Sequence, residues 1–248
     1  MGFFKNKKAK NGPELGVIDS DTPFAITQAY KSLYTNVLYL NIESGCKKIA
    51  ITSAVPSECK STVSANLSLM LTENLEDKKI LLIDTDMRSP KVWSLFGLVK
   101  NAKGLSEFLA AIDEKPNFQT YKNTNLSILT AGGQTVNPTK LIGSQRMKLL
   151  LDICAEEFDY VIFDTPPVNI VSDALLLGNV IDGYIISTRA DHSDVNSISS
   201  CIESINNTGS DILGIVLSDV KLKGGATYGK YGKYNDKYTS YDKNTASK

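Results

Sequence analysis

The sequence predicts a three-layer α/β fold, a mostly parallel central sheet with helices on both faces. Three observations point there. Short apolar runs alternate with longer stretches of helical periodicity, and strand–helix alternation pairs strands in parallel through right-handed crossovers. Two of the runs, Lys79–Asp86 and Tyr160–Asp164 (YVIFD), are continuously apolar at their centres. That is the pattern of strands covered on both faces. Residues suited to phosphate chemistry fall at the carboxyl ends of predicted strands: Ser53–Thr62, Asp84, Asp86 and Asp164. Sheets of this kind bind their ligands at those ends.

The elements follow in order. Residues 1 to about 22 carry Lys, Asn, Gly, Pro and Asp and read as a flexible arm. A helix is expected from Pro23 to Ile42, capped by Thr22, with Pro23 at its first position. Ile26, Tyr30, Leu33, Val37 and Leu40 share one face of it. Lys47–Val55 is the first strand and Ser61–Leu75 the helix after it. Lys79–Asp86 is the second strand, on which Asp84 and Asp86 should point the same way. Met87–Pro90 ends it, and a short helix runs to Phe96. Gly104–Ile112 is helical, Leu126–Thr130 a strand, and Thr139–Glu157 one long amphipathic helix. Tyr160–Asp164 is a strand ended by Pro166 and Pro167. Ser172–Asn179 is a helix, Gly183–Arg189 a strand, Ser193–Asn207 a helix and Ile212–Ser218 the last strand. Residues 23–220 therefore form one domain, followed by a tail, 221–248, without periodicity.

The stretch SAVPSECKST, Ser53–Thr62, has the context a phosphate-binding loop requires: strand, tight loop, helix. Backbone N–H groups and a helix N-terminus converge on phosphate oxygens in such a loop. Ala54, Lys60 and Ser61 occupy the expected positions of the pattern, and Cys59 stands where glycine is usual. A Cβ there resists a positive φ. Ser57, Glu58, Cys59, Lys60, Ser61 and Thr62 form the stretch expected to touch the nucleotide. Lys60 reaches the outer phosphates and Ser61 turns its hydroxyl to Mg²⁺. As a thiol beside Lys60, Cys59 is also a candidate for redox sensitivity.

Three carboxylates complete this reading. Asp164, ending a buried strand, sits where a metal-holding carboxylate is expected; a carboxylate there can also cap the next helix. Asp84 and Asp86, side by side, repel unless a cation lies between them. One serves Mg²⁺ and the other accepts a proton from a hydroxyl substrate; the bland alternative is a solvated strand end neutralised by Arg88.

Composition bounds the rest. The 248 residues are 42% hydrophobic, enough for a substantial core. No run of 18 apolar residues exists and the start of the chain lacks a secretory core, which predicts a cytoplasmic protein. Cys46, Cys59, Cys154 and Cys201 are far apart and His192 is the single histidine, so a zinc site or a disulfide framework is not expected. His192 reads as a loop residue.

Net charge is zero, but the tail holds seven lysines against two aspartates, a local +5. It also holds five of the eleven tyrosines: Tyr228, Tyr231, Tyr234, Tyr238 and Tyr241. With almost no aliphatic side chain to bury, it reads as disordered. Spaced lysines and tyrosines suit single-stranded nucleic acid, where bases stack on rings. They equally suit phosphate acceptors, since five phosphates add about −8 to −10 charges and reverse the sign of the tail.

With these parts assembled, the chain resembles the bacterial tyrosine kinases of capsular and exopolysaccharide synthesis, of the separate cytoplasmic type found in Gram-positive bacteria. The resemblance rests on SAVPSECKST as Walker A, Leu81–Pro90 (LLIDTDMRSP) as Walker A′, Tyr160–Pro167 (YVIFDTPP) as Walker B, Asn137–Ser144 (NPTKLIGS) and the tyrosine tail. It implies a P-loop NTPase fold, ATP and Mg²⁺, and autophosphorylation of the five tail tyrosines. It assigns Lys60 and Thr62 to phosphate, Ser61, Asp84 and Asp164 to the metal, and Lys60, Asp84, Asp86 and Asp164 to catalysis. It implies a transmembrane modulator of the polysaccharide co-polymerase type that activates the kinase and holds it at the inner face of the membrane. It also implies a cognate tyrosine phosphatase, self-association through tail exchange, and no nucleic-acid partner. Where the family carries Glu-x-x-Arg-x-x-Arg in its first helix, this chain has Gln28, Lys31 and Tyr34, and near the last strand Ser218 replaces a frequent Asn.

Two other readings share the motifs. One is a nucleotide-binding scaffold with weak or no kinase activity. The other is an ATPase of the division-site or chromosome-partition type, whose additional signature lysine is replaced here by Val55.

Overall fold

A computed structural model describes residues 16–40 and 45–220. The tail and its tyrosines lie outside the described residues, as does most of the predicted N-terminal arm. Among the described residues, seven strands form a single sheet in the order β3-β4-β2-β5-β1-β6-β7. They are β1 (Lys47–Ser53), β2 (Ile80–Asp84), β3 (Gln119–Thr120), β4 (Leu126–Leu129), β5 (Tyr160–Asp164), β6 (Gly183–Arg189) and β7 (Ile212–Ser218). All pairings are parallel except β3 with β4, at an edge. This two-residue strand is too short to leave a sequence signal and was not expected.

The continuous apolar runs behave as expected. Along β2, Leu81 and Ile83 face one core while Ile80 and Leu82 face the other; along β5, Val161 and Phe163 oppose Tyr160 and Ile162. Among the described residues, seven helices and one 3₁₀ helix cover the sheet. On one face lie α1 (Phe24–Leu38), α2 (Lys60–Asn74) and α3 (Val92–Leu95). On the other lie α4 (Leu105–Leu109), α5 (Pro138–Ile142), α6 (Gln145–Glu157), the 3₁₀ helix Ala174–Val180 and α7 (Val195–Asn206).

Helix α2 is buried along nearly its whole length, with Ser64, Ser68 and Thr72 among the buried residues. Their hydroxyls donate to the carbonyls of Lys60, Ser64 and Ser68, at 2.9, 2.8 and 2.8 Å. Each hydroxyl is satisfied within its own helix, so small polar side chains can sit against the sheet without leaving a donor unpaired.

Several boundaries differ from expectation, each for a physical reason. Thr22 does not cap α1: Pro23 takes the flanking position, and the Thr22 hydroxyl donates to Asp19 instead. The predicted long helix is two, α5 and α6, because α5 ends at Gly143 and Ser144 caps α6 by accepting the Met147 N–H. The helix expected over Ser172–Asn179 is a 3₁₀ helix, Ala174–Val180. Residues 16–22, read as part of a flexible arm, include a stretch laid along α2: Ile18 N–H donates to Asn66 Oδ1 at 2.8 Å. Among the described residues no helix is long and apolar enough to cross a membrane.

Candidate nucleotide site

The site lies where β1, β2 and β5 end. Strand β1 runs into the loop Ala54–Cys59, and α2 begins at Lys60 with no side chain capping its first turn. A helix start left open in this way offers its N–H groups and its positive dipole end to an anion. The loop borders a cleft of about 710 Å³. Ser57, Glu58, Cys59, Lys60, Ser61 and Thr62, all six expected contacts, line it with Asp86, Arg88 and Lys91.

Cys59 has φ 60° and ψ 13°, in the left-handed region that the glycine of the usual pattern occupies without strain. The backbone of the loop is therefore kept although its glycine is not. Burial raises the thiol pKa of Cys59 against the pull of Arg189. Thiolate is scarce as a result, and the placement does not favour the redox sensitivity expected from its neighbour Lys60.

Lys60 Nζ donates to Asp86 Oδ2 at 2.9 Å, both side chains being almost wholly buried. Burial works against the lysine charge, but Asp164, Asp86 and Asp84 outweigh it and hold its pKa above the ordinary value. The three expected carboxylates thus gather around one ammonium group.

They are not equivalent. Strand β2 ends at Asp84, so Asp84 and Asp86 do not share a strand face as expected. Thr85 is bound at both its N–H and its hydroxyl to the Asp164 carbonyl, and the chain turns just after it, where the Met87 N–H donates to the Thr85 carbonyl at 2.9 Å. Asp86 is thereby swung toward Lys60. Asp84 turns to its own loop: Oδ1 accepts the Asp86 N–H, and Oδ2 accepts those of Lys91 and Val92, each at 3.1 Å. Its role in the structure is to fix the loop that presents Asp86. Burial, then the neighbouring Asp164, raises the Asp84 pKa well above the carboxylate range.

Asp164 is fully buried, and burial pushes its pKa up to about 6 against the pull of Lys60. The Ser61 hydroxyl bonds to it, and Ser64 Oγ lies 3.4 Å from Oδ1. Its Oδ2 is buried without a hydrogen-bond partner among the described residues. An orphaned carboxylate oxygen beside a serine hydroxyl fits a magnesium ion that takes its remaining ligands from phosphate and water. Among the described residues no cluster of three or more His, Cys, Asp or Glu side chains is arranged as a cage for a metal.

Arg88 does not neutralise Asp84 and Asp86. Its Nε donates to Asp173 at 2.8 Å and its Nη2 to Thr139 at 3.1 Å, while Thr139 donates to the same carboxylate at 2.6 Å. The NPTKLIGS stretch therefore holds Arg88 at the rim of the cleft. Asp173, 85 residues from Arg88, carried no sequence signal. His192 is a loop residue, as expected, with Nε2 3.0 Å from the Pro56 carbonyl.

A parallel sheet, a phosphate-binding loop and carboxylates at the adjoining strand ends define a nucleotide-binding P-loop domain. Residues 46–213 match the family model described as an AAA domain. The chain belongs to the bacterial tyrosine-protein kinases: it is 35% identical to tyrosine-protein kinase YwqD of Bacillus subtilis over 94% of this chain and 97% of that protein. It is 32% identical to tyrosine-protein kinase CpsD of Streptococcus agalactiae, over 89% of this chain and 95% of the relative. Among solved structures it resembles the kinase domain of the Escherichia coli tyrosine kinase ETK, with TM-score 0.72 and 28% identity over 82% of this chain and 80% of that one. An ATP complex of Cyanothece McdA, at 21% identity and TM-score 0.60, shares the fold.

Proposed function

We propose that the protein is an ATP- and Mg²⁺-dependent autokinase that phosphorylates Tyr228, Tyr231, Tyr234, Tyr238 and Tyr241, and thereby regulates capsular or exopolysaccharide synthesis and export. The observation that carries this reading is the convergence of Lys60, the open start of α2 and Asp86 on one cleft, with Asp164 buried behind its lining residue Ser61, in a chain of the tyrosine-kinase family.

Phosphoryl transfer needs positioning and placed charge more than covalent help. The loop N–H groups and Lys60 hold the triphosphate, with Thr62 beside them at the second residue after Lys60. Ser61 and the free oxygen of Asp164 would hold the metal, which neutralises charge on the phosphates when bound. Asp86, released by Lys60 when the ammonium turns to phosphate, then accepts the proton of a tyrosine hydroxyl. Asp84 fixes the loop that carries Asp86. The tail supplies the hydroxyl, from a second subunit. The partners of this reading are a transmembrane modulator of the polysaccharide co-polymerase type, which holds the cytoplasmic kinase at the membrane, and a tyrosine phosphatase that resets the tail.

The test is incubation of the full chain with ATP and Mg²⁺, with and without the cytoplasmic segment of the modulator, followed by mass spectrometry of residues 221–248. Phosphate on the tyrosines supports the autokinase. ATP bound with unmodified tyrosines in both conditions supports a nucleotide-binding scaffold instead.

A further inference from the structure

Two loop residues that line the cleft hold backbone conformations that side chains disfavour. Ser57 has φ 63° and Cys59 φ 60°. Conformations of this kind persist only where the surroundings over-determine them. Glu58 lies between the two and is 1% exposed. Its backbone borders the cleft, but its carboxylate turns beneath the loop. Oε2 accepts the N–H groups of Ala54 and Val55 at 3.1 and 3.2 Å. Oε1 accepts the hydroxyls of Thr188, at 3.2 Å, and Ser193. The Glu58 carbonyl accepts the Ser187 hydroxyl.

These five donors come from the start of the loop, the end of β6 and the turn before α7. All are neutral and directional, so the carboxylate is fixed in orientation as well as in place. A residue pinned at both its side chain and its carbonyl leaves its two neighbours little freedom to relax.

We infer that Glu58 is a positioning residue: its buried carboxylate does for this loop what glycine at position 59 does in the usual pattern, holding Ser57 and Cys59 in the left-handed conformation that aims the loop N–H groups and Lys60 into the cleft. The side chain is not a phosphate contact. The inference deepens the nucleotide reading of the cleft and depends on it for only one of two readouts.

The test is a double-mutant cycle in the full chain: unmodified, Glu58→Gln, Cys59→Gly, and both together. Glutamine keeps the size of the side chain but cannot accept at all four positions. In the nucleotide-free chain, amide exchange at Ser57, Lys60 and Ser61 should quicken about tenfold for Glu58→Gln when Cys59 is present, and less than about threefold when glycine occupies position 59. Affinity for ATP with Mg²⁺ should fall by the same pattern, about tenfold against less than about threefold. A merely structural loss lowers the melting temperature equally in both backgrounds and gives no such coupling. Equal losses in the two backgrounds, or no change in either readout, overturn the inference. If Glu58→Gln does not fold, Thr188→Val, which removes one donor, should slow or quicken nothing beside glycine and quicken exchange about threefold beside Cys59; equal effects overturn the inference. Should the unmodified chain fail to bind ATP, the nucleotide reading falls while the exchange cycle still decides this one.

Discussion

Lys60 Nζ and Asp86 Oδ2 lie 2.9 Å apart in a buried ion pair at the mouth of the cleft. The pair satisfies both charges, and on the proposed function a triphosphate draws the lysine away from it. On the proposed function, that exchange frees Asp86 Oδ2 to act on a hydroxyl, while Oδ1 keeps the Ser89 N–H at 3.0 Å.

Asp86→Asn removes the proton acceptor but keeps the shape. Turnover of tail phosphorylation should fall by at least about 100-fold, the usual contribution of a general base, while ATP affinity changes by less than about tenfold. Steady-state kinetics with ATP varied check this. A loss confined to ATP affinity would show that Asp86 serves only to hold Lys60.

Asp164→Asn keeps the hydrogen bonds of Ser61 and Ser64 but lowers the charge offered by the orphaned oxygen. The Mg²⁺ concentration for half-maximal ATP binding should rise about tenfold or more, in line with losing one charged ligand. Calorimetric titration of ATP at several Mg²⁺ concentrations measures it.

Much of this site was legible in the sequence. β5, β6 and β7 begin and end as their apolar runs and flanking Gly, Pro and Asp residues indicate. The loop, Lys60, Ser61, Asp86 and Asp164 converge because parallel strands place their carboxyl ends on one rim. What was not legible depends on side chains meeting across long separations. Asp84 and Asp86 look equivalent in a strand pattern, yet β2 ends at Asp84, whose own carboxylate accepts the Asp86 N–H. Glu58 reads as a loop residue facing phosphate, but its partners Thr188 and Ser193 lie 130 and 135 residues away. The break between α5 and α6 depends on a cap at Ser144 inside an unbroken amphipathic pattern.

Cys59→Gly relieves a left-handed residue. The melting temperature should rise by about 2–4 °C, the equivalent of about 1 kcal/mol in a chain of this size, and ATP binding should tighten. Cys59→Val, branched at Cβ, should lower both. Calorimetry of the three proteins checks the order; a glycine variant less stable than the parent contradicts the strain.

Asp173 gives a pH signature. Burial works to raise its pKa, but the hydrogen bonds from Arg88 and Thr139 outweigh it and hold the group below the carboxylate range. The folded pKa is depressed, so the unfolded chain binds more protons in acid. The stabilisation is present above the unfolded value, about 3.9, and is lost as pH falls through the folded value. Asp173→Asn should therefore lower the melting temperature at pH 7, and the gap should narrow as pH falls below the unfolded value of about 3.9. Thermal unfolding from pH 3 to 8 measures it; a constant gap contradicts the assignment.

The most direct measurement is the number of phosphates on residues 221–248 after full-length chains meet ATP, Mg²⁺ and the modulator segment, compared between the parent and Lys60→Met. The account predicts phosphotyrosine at Tyr228–Tyr241 in the parent and none in the variant. Equal phosphorylation of the two, or an unmodified tail on a parent chain that binds ATP, contradicts it.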